Sequence, residues 1–124
     1  MSSRLSNSQQ VSANQDLVTH LALLHDDAQL GDVSRQWRMT LYFYVAVHHV
    51  EEQFRLKHYS VSKNHKNRNF KIRNLWDASQ RAAVKSYMDL YTQSKRTRYQ
   101  GVVPSDAELT DAETALLDVM TNLV

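Results

Sequence analysis

The chain has 124 residues, 42% of them hydrophobic and 23% charged, with a net charge of only +2 and no cysteine. That length and composition suit one soluble globular domain with a modest core. The absence of cysteine excludes disulfides, thiolate nucleophiles and thiolate-rich zinc sites, leaving packing, carboxylates, histidines and arginines to supply stability and any chemistry.

Charge is unevenly distributed. Residues 1–54 carry three bases and six acids, residues 55–100 carry twelve bases and two acids, and the tail from Gly101 carries five acids and no base. A basic middle of this kind suits a polyanion such as RNA, or an acidic protein surface. The alternative is that the acidic segments fold over it and cancel it.

The first eleven residues, MSSRLSNSQQV, are polar and lack the apolar run of a secretory signal, and no later stretch approaches a membrane span. They read as a flexible N-terminal arm (1–11), followed by a single helical domain (12–124), in a cytoplasmic protein with no membrane contact. Only Gly31, Gly101 and Pro104 punctuate the chain strongly, which leaves little turn chemistry for a sheet.

Helix is the economical expectation. Ser12 with Gln15 has capping-box spacing, and Leu17, Leu21, Leu24 and Ala28 follow at helical intervals until Gly31. A second helix should start near Asp32 or Ser34 and reach about His58; it is apolar all round from Leu41 to Val47, as expected of a helix touched by several others. A shorter helix should begin near Asn64 and run through Phe70, Ile72 and Leu75. Asp77 with Gln80 then precedes the stripe Val84, Tyr87, Met88 and Tyr91. Either Ser105 with Glu108 or Thr110 with Glu113 caps a last helix, striped by Leu109, Ala112, Leu116, Val119, Met120 and Leu123. The fold class is all-α: an antiparallel four-helix-type bundle with one additional short helix. The tyrosines at 42, 44, 87 and 91, with Trp37 and Trp76, have the spacing of core residues.

The segments "QWRMTLYFYVAVHHVEEQFRLK", "NHKNR" and "YMDLYTQSKRTRYQG", in that order over roughly Trp37 to Gly101, resemble the small HEPN-domain proteins. That family joins an aromatic-rich helix to a His-x-x-Arg step and a Tyr-x-x-Leu…Ser…Arg-Tyr finish. The resemblance implies an all-α bundle, homodimerisation, and a role around RNA or nucleotides, either as a ribonuclease in toxin–antitoxin or defence systems or as the partner subunit of a nucleotidyltransferase-like protein. The family's ribonuclease signature, Arg, then four to six intervening residues, then His, occurs at none of the six histidines. His65-Lys66-Asn67-Arg68 offers a reversed, shorter spacing that matches the non-nucleolytic or uncharacterised branches better. Whether the chain is a metal-independent ribonuclease or a non-enzymatic interaction module stays open at this level.

Three candidate clusters follow. His65 and Arg68, three apart at a helix start, would share a surface where free N–H groups and a guanidinium hold a phosphate while the histidine moves a proton from a ribose 2′-hydroxyl, with His48 or His49 in support. In the competing arrangement Arg68 pairs with Glu51 or Glu52. Tyr44, His48 and Glu52, four apart, could form a hydrogen-bonded row toward His65. No His-Glu-x-x-His element supports a metal, and no cofactor motif is present. Finally, Lys63, Lys66, Arg73, Arg81, Lys85, Lys95, Arg96 and Arg98, with Tyr99 for stacking, are the nucleic-acid-binding candidates. The bases at 95, 96 and 98 would equally complement the negative end of their helix.

Overall fold

A computed structural model describes residues 4–124. Five α-helices follow in order: α1 (Asn7–Ala22), α2 (Gly31–Leu56), α3 (His65–Leu75), α4 (Arg81–Gln100), preceded by a single 3₁₀ turn at Ala78–Gln80, and α5 (Asp106–Asn122). There is no strand among the described residues. The four longer helices form an antiparallel bundle around α2, and the short α3 fills the connection between α2 and α4.

Long-range bonds fix the directions. Asn7 meets His48 while Ser34 donates to the Leu21 carbonyl, so α1 runs against α2. Arg98 donates to the Tyr44 hydroxyl and Gln36 to the Gly101 carbonyl, so α4 runs against α2 as well. Ser86 bonds Asp118 and Arg96 bonds Glu108, which sets α5 against α4.

Side-chain caps explain most boundaries. Ser105 and Glu108 form a complete capping box at the start of α5, and Asn64 accepts from the Asn67 N–H at the start of α3. At α1 the sequence expectation is corrected. Ser6 and Gln9 make the box, so residues 7–11 belong to a helix and only Arg4 to Ser6 among the described residues remain of the expected arm. Ser12 with Gln15 has the same spacing, but it lies inside the helix, where the N–H groups already have partners. The apolar stripe shifts accordingly: Val11 and Val18 pack on the core, whereas Leu17 is exposed.

Gly31 opens α2 instead of closing α1. A Cβ there would lie 2.8 Å from the His25 carbonyl oxygen, so the close approach of the α1–α2 turn requires glycine.

The core is centred on α2. Met39, Phe43, Val45, Ala46, Val50 and Phe54 are essentially inaccessible and meet Ile72, Tyr87, Leu90, Val119 and Leu123 from α3, α4 and the α5 end. A fully buried side chain of this size contributes about 1.5–3 kcal/mol. Tyr42, Tyr87 and Trp76 are buried as the spacing predicts, but Trp37 is not: it is 55% exposed.

His58 ends α2 with φ +65°, its N–H on the Arg55 carbonyl and the next N–H, Tyr59, on Phe54. This left-handed position favours glycine. His58→Gly should therefore raise stability by about 1 kcal/mol, read as a higher denaturant midpoint at unchanged slope; a lowered midpoint would contradict the assignment.

Candidate nucleic-acid interface

The predicted His65–Arg68 pair forms, but not as an open surface. Arg68 Nε donates to Glu51 Oε1 at 2.9 Å, and the two side chains are only 12% and 10% exposed. The other arm of the guanidinium, Nη1, donates to His65 Nδ1 at 2.9 Å. Of the two arrangements the sequence allowed, the Glu51 pairing is the one present. Arg68 is thereby a structural tie between α3 and α2.

His65 sits in an aromatic enclosure, its ring 5.6 Å from Phe43, 5.8 Å from Tyr91 and 6.5 Å from Tyr44 between centroids. Burial, then the Arg68 and Arg98 charges, push its pKa down, so the ring is neutral near pH 7. An arginine only donates, so Nδ1 must be the acceptor and the proton is on Nε2. The lone pair that a general base needs is already engaged. At the start of α3, Asn64 caps the Asn67 N–H, and Asn67 Oδ1 accepts from the Lys63 N–H just before the helix.

His48 is placed differently. Its Nδ1 lies 3.2 Å from Asn7 Oδ1, so Nδ1–H donates to that amide oxygen and the lone pair on Nε2 is left over. Desolvation and the neighbouring Arg68 lower its pKa, with Glu51 opposing. It lines a cavity of about 350 Å³ together with Arg4, Glu51, Arg55, Tyr59 and Arg68. His48, rather than His65, is thus the imidazole able to accept a proton. The expected row does not form: Tyr44 accepts from Arg98, and Glu52 takes Arg55 at 2.6 Å. His49 is a structural group, its Nε2 donating to the Leu123 carbonyl at 2.8 Å and fastening the end of α5. No three His, Asp or Glu side chains come together as metal ligands among the described residues.

The basic residues divide into two groups, and the acids decide which is which. Asp106 takes Arg35, with His25 wedged between Arg38 and the same carboxylate. Glu108 holds Arg96, and Asp89 holds Lys85. The acidic tail therefore covers parts of α2 and α4, as one alternative supposed, but it does not reach α3. Among the described residues no acid lies within ion-pair distance of Lys63, Lys66, Arg73, Arg81 or Lys95.

Lys66 and Arg73 are exposed and seven apart, hence on one face of α3. Between them on that face stands Phe70, 65% exposed. Arg81 continues the line, sharing a shallow cavity with Arg73 and Trp76. Lys95 lies over the Tyr91 ring at 5.1 Å. Arg98 is half-buried, bonded to Ser94 and Tyr44 and stacked at 5.1 Å on the largely exposed Tyr99.

Sequence reasoning missed Phe70 as a surface residue by grouping it with Ile72 and Leu75. Ile72 is buried, and a residue two positions away on a helix points to the opposite side, which is the signal that could have found it.

Three histidines with lowered pKa values, His48, His49 and His65, make stability depend on pH. In each the unfolded chain binds the proton more readily, so stability is fully present above the ordinary histidine range near 6.5 and is lost as pH falls through the lower folded values. The melting temperature should drop between pH 7.5 and pH 5, and His65→Gln should flatten part of that drop; a melting temperature constant over this range would contradict the neutral, partly buried imidazoles.

No protein-family model, no curated protein and no solved structure matches this chain.

Proposed function

We propose that the chain is a HEPN-like helical module of an RNA-linked system, of toxin or defence type, that binds single-stranded RNA along α3 without cutting it. The observation that carries this is the selective cover of charge. The acids neutralise Arg35, Arg68, Lys85 and Arg96, while Lys63, Lys66, Arg73 and Arg81 stay free around an exposed phenylalanine.

Free cations spaced along one helix can follow a phosphate backbone, and Phe70 between them offers a ring on which an unpaired base stacks. The engagement of the His65 lone pair and the commitment of Arg68 to Glu51 favour binding over cleavage.

A ribonuclease reading is favoured by one group only, His48, whose Nε2 is unengaged beside Arg68 and a cavity. A non-enzymatic homodimer or a partner subunit docking its basic face on an acidic protein is the other class.

RNA binding separates these readings. Affinity for a single-stranded oligonucleotide should fall steeply with salt, and the Lys66→Gln/Arg73→Gln double variant should reduce the slope of log affinity against log salt by about 1.4, roughly 0.7 for each lost phosphate contact. The RNA should remain intact. Degradation by the native protein that disappears in His48→Ala would support the ribonuclease instead, and absence of RNA binding would favour the protein partner.

A further inference from the structure

The N-terminal half of α2 carries an apolar seam that none of the described elements covers. Leu30, Trp37, Tyr44 and Glu51 recur every seven residues, so they lie in one line along the helix. α3 covers the second half of that line, where the His65 ring meets Tyr44 and Arg68 pairs with Glu51. The first half stays open: Leu30 is 47%, Val33 45% and Trp37 55% exposed.

The open half is a groove rather than a flat face. Thr97 and Arg98 of α4 wall it on the side of Gln36 and Thr40, around a volume of about 450 Å³. α1 flanks the opposite side, where Ser34 donates to the Leu21 carbonyl. From Leu30 to Tyr44 the seam is about 21 Å long. Its polar groups are already committed: Arg98 is bonded to Ser94 and Tyr44 with Nη2 buried, and Thr40 donates to the Gln36 carbonyl. What the groove lacks is apolar cover over Leu30, Val33 and Trp37.

Charge says which cover fits. Asp26, Asp27 and Asp32 stand exposed around the start of α2, and among the described residues no base lies within ion-pair distance of them. The nearest cations along the chain are taken, Arg35 by Asp106, while Arg38 turns inward onto His25. An apolar seam bordered by uncompensated carboxylates is complementary to a helix with an apolar stripe and basic flanks.

We infer that this groove docks a basic amphipathic helix of a partner protein, lying in line with α3 as a further helix of the bundle. Heptad-spaced apolar side chains of the partner interleave with Leu30, Val33 and Trp37, and its lysines or arginines meet the carboxylates at the start of α2. A seam this short makes a contact smaller than a standard interface, so docking is reversible. The surface is separate from the Lys66–Arg73 face, whose cations would repel such a helix. The inference therefore does not rest on the RNA-binding proposal.

Tryptophan emission reads occupancy of the groove, because the chain has two tryptophans and the other, Trp76, is 7% exposed. A synthetic helical peptide with leucines at heptad spacing and lysines on both flanks should shift the emission to the blue saturably, and the shift should vanish in Trp37→Phe. Trp37→Ala, with its fold verified by circular dichroism and melting, should bind the labelled peptide about tenfold or more weakly. Asp26→Asn/Asp32→Asn should weaken it about threefold, whereas Lys66→Gln/Arg73→Gln should leave it unchanged. Equal binding of the same peptide with glutamates in place of the lysines, or full affinity in correctly folded Trp37→Ala, would overturn the inference. Absence of any emission shift would overturn it too. Self-association of the free chain that Trp37→Ala abolishes would do the same, by showing the groove to be covered by a second copy.

Discussion

The Arg68–Glu51 ion pair is the interaction on which the arrangement of the rest depends. It joins the first turn of α3 to the C-terminal part of α2 at 2.9 Å, with both side chains largely out of water. Removing one partner of such a pair leaves a charge buried without compensation, at a cost of about 3–5 kcal/mol. The pair also orients its neighbours: the second arm of Arg68 fixes the His65 ring and its tautomer, and the ring in turn packs on Phe43 and Tyr91. With Ile72 buried below, the opposite face of α3 is forced outward, carrying Lys66, Phe70 and Arg73.

Burial and charge thus divide the cations by task. Arg68, on the side of α3 that faces α2, meets Glu51, and the strongly acidic α5 takes up Arg35 and Arg96. Exposed pairs such as Lys85–Asp89 add little stability, about 0–1 kcal/mol, but they remove a cation from the field that a polyanion would meet. Among the described residues, Lys63, Lys66, Arg73 and Arg81, along α3 and at its two flanks, have no acid within ion-pair distance, nor has Lys95 near the end of α4. A chain whose net charge is only +2 can in this way present a locally basic surface.

Much of the fold was legible because local signals agreed with one another. Ser105 with Glu108, Asn64 before α3 and the stripe from Leu109 to Leu123 each pointed to the elements present. The start of α1 was misplaced for a physical reason: Ser12 with Gln15 has the same spacing as the true box, Ser6 with Gln9, and only the course of the backbone selects between them. Trp37 was misplaced because α2 is apolar on several sides, so periodicity alone does not say which side a neighbour leaves open. The candidate site was legible as a set of residues but not as a set of roles. The identity of the carboxylate beside Arg68, and hence the loss of its phosphate-clamp geometry, is a tertiary fact that spacing along the chain does not contain.

The central claim is that α3 and the start of α4, rather than the helix ends covered by acids, form the surface that meets RNA. Amide chemical-shift mapping of the native chain with a single-stranded oligonucleotide tests this most directly. The account predicts perturbations concentrated between residues 63 and 73 and near Arg81, with the α5 amides unchanged. Perturbations centred on α5, or none at saturating RNA, would contradict it.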